Sequence, residues 1–450
     1  MRVHFIAIGG SAMHNLALAL HFKGDRVTGS DDAIFEPSKS RLEAVGLLPE
    51  SLGWDASRIT EDIEAVILGM HAKADNPELL KAQELGLEIF SYPEFLYNQA
   101  QTKTRVVIGG SHGKTTITSM ILHVLNYWDM DVDYMVGAQL EGFDTMVKLT
   151  DQNEFMVLEG DEYLSSALDL RPKFHLYRPN IALLTGIAWD HINVFPTFEN
   201  YVEQFKLFIE SITDGGILVY NEEDPILKEL VESSSAIVKK YPYKTPDYEV
   251  SNEEVYIDTN EGEIPLEIFG AHNMQNMAGA QEICYHMGVG EDDFFEAISS
   301  FKGASKRLEK LFETQSTLIF KDFAHSPSKV AATTNAVKEQ YPNKNLLACL
   351  ELHTYSSLNP VFLKEYKDAL NAADRAMVFY DPKALEIKKM PAILPEQIKE
   401  AFGREDLQIF IDATAFKKAL WEQSLEQTTL LMMSSGNYGG LDLKELKALI

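Results

Sequence analysis

Two cysteines in 450 residues, Cys284 and Cys349, are too few for a disulfide framework or a cysteine zinc cage. Such scarcity suits a reducing compartment. Basic residues are also short, with 40 Lys and Arg against 68 Asp and Glu, a formal net charge of −28. Nucleic-acid binding needs a basic footprint, so no nucleic-acid partner is expected. Acidity does not bar an anionic nucleotide where N–H groups, a lysine and a metal build the local site; elsewhere it serves solubility. No apolar run approaches the ~20 residues of a membrane helix, so no membrane insertion is expected. Met1-Arg2-Val3-His4-Phe5-Ile6-Ala7-Ile8 enters a strand pattern at once, without a signal-peptide pattern. With no internal repeat or low-complexity tract, the chain reads as a cytoplasmic globular protein. Its length allows about three domains of roughly 150 residues.

The richest stretch is Arg105-Val106-Val107-Ile108-Gly109-Gly110-Ser111-His112-Gly113-Lys114-Thr115-Thr116. A β-branched run breaks at glycines, then Ile117 to Leu125 carries helical apolar spacing. In that arrangement, turn and helix N-terminal N–H groups converge on one spot and attract phosphate. Lys114 would neutralise the outer phosphates, and the hydroxyl of Thr115 or Thr116 would sit on Mg²⁺. Ile108 stands where the first glycine of the common phosphate-loop pattern falls, leaving Gly110-x-x-Gly113-Lys114-Thr115.

A second strand–glycine–helix unit opens the chain: Val3 to Ile8, then Gly9-Gly10-Ser11-Ala12-Met13 and a helix to about Phe22. It resembles a dinucleotide fingerprint, but Ala12 and Met13 crowd the later glycine positions. Arg26 to Asp31 reads as a strand with a polar tip, where ligands of doubly wound sheets sit. Ser30 or Asp31 could accept from ribose or base, or cap a helix. Ala65 to Met70 leads to His71 and a further helix. Residues 1–102 thus form a small α/β domain, and Asn98 to Lys103 reads as a linker.

Past the phosphate loop, Phe155 to Leu158 ends in Glu159, Asp161 and Glu162. Clustered carboxylates repel and raise one another's pKa, a cost that a hard divalent cation removes. A solvated acidic loop is the plainer alternative. Ile181 to Thr185 runs to an Asp190-His191 tip, where the histidine could meet the same metal or merely cap and pack. Lys206 sits among Phe205, Leu207 and Phe208 as a snorkelling surface lysine would. Residues 241–268 alternate as in an antiparallel meander, and Gly270 to Asn276 opens a helix backed by small residues. A boundary is expected near 311–316. Strands alternate with helices from there to Ile450, and the last strand ends in a glycine turn, 434–440.

Taken in order, Gly110 to Thr116, Asp161-Glu162, Asp190-His191, Gly270 to Asn276, Arg307-Leu308-Glu309 and Asp322-Phe323-Ala324-His325-Ser326-Pro327 resemble the Mur ligase family. Those are ATP-dependent, amide-forming enzymes of cell-wall synthesis. The resemblance implies an α/β chain of three domains. A Rossmann-like UDP-binding domain would span 1–102, and a Rossmann-like ligase domain 314–450. Between them, 103–313 would be P-loop ATPase-like, with a mostly parallel sheet and a small antiparallel addition. ATP and Mg²⁺ are the implied cofactors, and UDP-N-acetylmuramate and a peptide or amino acid the implied substrates.

Lys114, Glu162 and His191 would be catalytic, and Gly110 to Thr116, His272, Asn273, Asn276, Arg307, Asp322 and His325 would bind ATP. Gly9, Gly10, Ser11, Ala12, Met13, Ser30, Asp31 and His71 would bind the UDP-sugar. Thr115, Thr116, Glu162 and His191 would hold the metal, joined by Lys206 if carbamoylated, since Lys206 falls where other branches carry that modified lysine. Asp161-Glu162-Tyr163, Asp169, Arg171, Lys173-Phe174 and Tyr177-Arg178-Pro179 are similar to members that add the recycled tripeptide L-alanyl-γ-D-glutamyl-meso-diaminopimelate. Members that add L-alanine carry an arginine missing from Glu351 to Ser356. Gly186 and Ser326 also depart from the family pattern, replacing an Asn and a His.

Overall fold

The structure is a computed structural model describing every residue except Glu141, Ala167, Glu261, Ser305 and Lys306. The chain divides into two compact units, one of 1–187, 202–243 and 279–289, the other of 188–201, 244–278 and 290–450.

The first unit holds two sheets. The four-stranded one runs Arg26–Ser30, Arg2–Ile6, Ala65–Leu68, Ile89–Ser91, all parallel. The central strand Ala65–Leu68 reads as an apolar run because helices cover it, with Ile6, Val66 and Leu68 packed on Leu79 and Ala82. The seven-stranded sheet runs Lys239–Tyr243, Ile217–Asn221, Ile181–Leu184, Thr104–Gly109, Phe155–Gly160, Asp133–Met135, Val147–Lys148. All its pairings are parallel save the last. Parallel order places the carboxyl ends of Thr104–Gly109, Phe155–Gly160 and Ile181–Leu184 on one edge, where ligands of such sheets bind.

The expected linker is a helix end and tight turn. Tyr92–Gln99 is capped by a Ser91–Glu94 box. Buried Arg105 donates to the carbonyls of Ala100, Lys103, Tyr177 and Arg178, and Lys103 pairs with buried Asp133 at 2.8 Å. Counting Gln101 at 3.4 Å, one guanidinium thus serves five carbonyls, three of them in the turn.

In the second unit, Glu249–Ser251, Glu254–Thr259 and Gly262–Leu266 form the antiparallel addition. The meander expected over 241–268 is corrected at its start: 241–243 lie in Lys239–Tyr243, an edge strand parallel to Ile217–Asn221. A six-stranded sheet runs Glu309–Glu313, Thr317–Asp322, Thr428–Met433, Asn345–Glu351, Arg375–Phe379, Gln408–Phe410, with only the first strand antiparallel. Period-two alternation splits its core into two faces. Leu318, Phe320, Ala348 and Leu350 pack on one side; Ile319, Leu347 and Cys349 pack on the other. Among the described residues no helix is long and apolar enough to cross a membrane.

Candidate active site

Gly110 and Gly113 take φ of +127° and +78°, conformations that side chains disfavour. At Gly110 there is no room either, since a Cβ would strike Thr185. The turn is pinned by Ser111 N–H donating to the Gly186 carbonyl at 3.0 Å and by the Thr185 hydroxyl donating to the His112 carbonyl at 2.5 Å. Lys114–Tyr127 then starts a helix with no side-chain cap, leaving its first N–H groups for an anion.

Lys114 donates to the Gly110 carbonyl at 2.6 Å and forms an ion pair with buried Glu162. Burial alone would lower the ammonium's pKa; Glu162, Asp161 and Glu159 outweigh it and hold the value above the usual lysine range. The Thr115 hydroxyl donates to Glu159 at 2.9 Å, and the other Glu159 oxygen accepts from Gly137 N–H at 2.7 Å. Asp161 pairs with Lys173 at 2.6 Å. The three carboxylates of the strand tip are therefore differently employed. Glu159 meets the loop hydroxyl, Glu162 the loop lysine, and Asp161 a neighbouring lysine.

The sequence sets Glu159 among three strand-tip carboxylates facing a cation, and only Glu162 is singled out as a metal ligand. The available signal was a buried carboxylate in the last turn of a hydrophobic strand, next to the loop helix in a parallel sheet. A hydroxyl and a carboxylate in contact suit Mg²⁺, which binds through one or two carboxylates and substrate phosphates rather than a full protein cage. No trio of metal-ligating side chains occurs among the described residues.

In the first sheet, the helix Ser11–Lys23 starts at Gly10 with no side-chain cap, again leaving N–H groups free for an anion. Asp31 accepts from Gly9 N–H at 2.7 Å, and burial raises its pKa. Ser30 is buried and donates to Glu78. Met13 is buried, whereas Ser11, Ala12 and His71 are exposed. Lys206 is half exposed and paired with Glu203 at 3.3 Å, the placement of a surface lysine.

The second unit gathers the other expected residues. His191 takes φ +52°, and its N–H donates to Asp190 at 2.7 Å. Asp190 is buried, yet His191 and Lys329 keep its pKa below the carboxylate norm, and Ser356 donates to it at 3.3 Å. Asp322 accepts from the N–H groups of Leu308 and Ala324 at 2.5 and 2.6 Å, fixing the turn after Arg307. Arg307 lies over the Phe323 ring at 5.2 Å. Burial lowers the pKa of His272, with Asp322 and Arg307 near enough to act on it in opposite directions. Its Nδ1 is buried without a hydrogen-bond partner among the described residues. Asn276 lies one helical turn beyond, and Asn273 donates to Phe269 O at 2.9 Å. Burial and Lys329 push His325 down to about 4. The turn 434–440 wraps Glu351, with the Ser434 hydroxyl and the Tyr438 N–H donating to its carboxylate.

A model described as the Mur ligase middle domain matches residues 108–284, and one described as the Mur ligase family catalytic domain matches 2–104. A UDP-N-acetylmuramate–L-alanine ligase from Carboxydothermus hydrogenoformans is 32% identical over 99% of this chain and 96% of its own. The chain belongs to the Mur ligase family. It is an ATP-dependent, ADP-forming amide-bond ligase of peptidoglycan synthesis. The fold of this Mur ligase matches a solved UDP-N-acetylmuramate–alanine ligase from Thermotoga maritima, with TM-score 0.72 over 100% of this chain and 98% of the other at 20% identity. A solved UDP-N-acetylmuramate:L-alanyl-γ-D-glutamyl-meso-diaminopimelate ligase from Neisseria is 26% identical, with TM-score 0.60 over 67% of this chain and 98% of that one.

Proposed function

We propose that this Mur ligase joins L-alanyl-γ-D-glutamyl-meso-diaminopimelate to UDP-N-acetylmuramate in the cytoplasm, recycling peptidoglycan peptide. The observation that carries the ligase chemistry is the adjacency of two pairs, Lys114–Glu162 and Thr115–Glu159, at one sheet edge. The acceptor follows the Neisseria protein, whose solved chain bears that activity in its name.

The muramate carboxylate attacks the γ-phosphorus of ATP, forming an acyl phosphate and releasing ADP. The peptide amine then adds to the acyl carbon. The tetrahedral intermediate loses a proton to solvent or base, and phosphate leaves with the C–O electron pair. Lys114 and the N–H groups from Gly110 to Thr116 stabilise charge on the transferring phosphoryl group. Thr115 or Thr116 with Glu159 and Glu162, and His191 from the other unit, would hold a bound Mg²⁺, which would supply further charge neutralisation. His272, Asn273 and Asn276 serve the adenine side; Arg307, Asp322 and His325 serve the nucleotide from the linker and the last domain. Gly9 to Met13, Ser30, Asp31 and His71 serve the UDP-sugar. The working domains are 1–102, 103–313 and 314–450.

A second acceptor, L-alanine, is favoured by the 32% identity to an enzyme named for it. Phosphate release with UDP-N-acetylmuramate and, separately, L-alanine, dipeptide or tripeptide tests both. Turnover with tripeptide alone supports the first reading, and turnover with L-alanine alone replaces it with the second.

A further inference from the structure

The segment from Gly137 to Met146 is tied down at both ends, and each tie reaches one of the two ligand sites just assigned. At its start, Gly137 N–H donates to Glu159 at 2.7 Å, and the same carboxylate accepts from the phosphate-loop Thr115 at 2.9 Å. A Cβ at Gly137 would meet a Glu159 carboxylate oxygen at 2.7 Å, so a side chain there would displace that carboxylate. At its end, Arg41 donates to the Asp144 carbonyl at 2.5 Å, and Met146 N–H donates to the side-chain oxygen of Asn15 at 3.0 Å. Arg41 closes the clasp by donating to that Asn15 oxygen at 3.0 Å and to Gln139 at 3.4 Å.

Asn15 is fully buried and lies one turn into the helix that starts at the sugar-nucleotide turn. Its amide donates back to the Ser11 carbonyl at 2.9 Å. Beside it, His14 is 3.0 Å from the Gly10 carbonyl through Nδ1, while its Nε2 faces two donors, Asn15 at 3.1 Å and Arg41 at 3.3 Å. That surrounding is satisfied by a neutral ring with the proton on Nδ1. Hydrogen bonds thus join Thr115 to Gly137 through Glu159 at one end of the segment, and Asp144 and Met146 to Ser11 and Gly10 through Arg41, Asn15 and His14 at the other. A cavity of about 690 Å³ borders the segment at Phe143, Asp144 and Thr145.

We propose that Asn15 and Arg41 are positioning residues that couple the triphosphate loop to the sugar-nucleotide turn, so that each ligand strengthens binding of the other. The proposal rests on the assignment of those two sites under the function above. A ligand that fixes Thr115 and Glu159 fixes Gly137. Through the clasp it then sets the end of the segment against the helix that presents Gly10 and Ser11. Coupling of this kind is reciprocal by necessity.

Calorimetric titration of UDP-N-acetylmuramate with and without Mg²⁺ and a non-hydrolysable ATP analogue tests it, in wild type, Asn15→Ala, Arg41→Met, Arg41→Lys and Gly137→Ala. In wild type the analogue should tighten sugar-nucleotide binding by about tenfold, within the usual range for coupled sites. Asn15→Ala and Arg41→Met should bring that ratio close to one while leaving affinity for the analogue alone unchanged. Arg41→Lys should fall between, and Gly137→Ala should lower the ratio from the opposite end of the segment. Thermal unfolding identifies any variant that fails to fold, and Arg41→Lys and Gly137→Ala then carry the test. A ratio near one in wild type, or an undiminished ratio in the folded variants, overturns the coupling. A wild-type protein that binds the analogue but no sugar nucleotide overturns instead the functional reading beneath it.

Discussion

The Thr115 hydroxyl donates to Glu159 across 2.9 Å, joining the first turn of the phosphate-loop helix to the end of the neighbouring strand. A contact between a hydroxyl and a carboxylate at that place is the feature on which the proposed Mg²⁺ and phosphate chemistry rests. Glu159→Gln keeps the shape and can still accept from Thr115, but it removes the negative charge. Ligase turnover should fall by about 10²-fold or more, as when one group serving the developing charge is lost. The Mg²⁺ concentration for half-maximal rate should rise, and the unfolding midpoint should move little. Steady-state rates across a Mg²⁺ series check this.

The buried Lys114–Glu162 pair predicts an asymmetry between single and double variants. Glu162→Ala leaves an ammonium with only 13% side-chain exposure without its ion-pair partner, and breaking such a pair costs about 3–5 kcal/mol. Removing both charges, as in Lys114→Met with Glu162→Gln, should recover most of that stability. Activity should be absent from the double variant all the same, because the phosphate counter-ion is gone. Denaturant unfolding alongside phosphate release separates the two effects.

Gly110→Ala should abolish nucleotide binding. A side chain there requires the left-handed region at φ +127° and collides with Thr185, so the turn must open. Fluorescence titration with a labelled ATP analogue reads this directly.

Stability should decline as pH falls below 6.5. His325 is held neutral by burial and Lys329, with its pKa down to about 4. An unfolded chain therefore binds a proton there that the native chain refuses. The stabilisation is present above 6.5 and is lost between 6.5 and about 4. His325→Gln should flatten that limb of a denaturation-midpoint profile against pH.

How much of this was legible depends on whether the determining contacts are local. Gly110, Gly113 and Lys114 form a contiguous pattern, and the strand and helix around them carry unambiguous apolar periods. Glu159 is different. It looked like one of three interchangeable carboxylates, and only pairing of Thr104–Gly109 with Phe155–Gly160 separates it from Asp161 and Glu162. The strand Lys239–Tyr243 alternates as an antiparallel strand would, with Pro242 suiting an edge; its parallel direction is set by Ile217–Asn221, which its own sequence does not encode. Asn15 and Arg41 reach partners about a hundred residues away, with Asn15 meeting Met146 and Arg41 meeting Asp144, and no local pattern announces them.

The central claim is that a sugar carboxylate is activated as an acyl phosphate before an amine reaches it. Heavy-oxygen label in the muramate carboxylate of UDP-N-acetylmuramate tests that most directly. Turnover with ATP and tripeptide should deliver one labelled oxygen into each inorganic phosphate released, and Lys114→Ala should release none. Phosphate that emerges unlabelled while amide product accumulates would contradict the account.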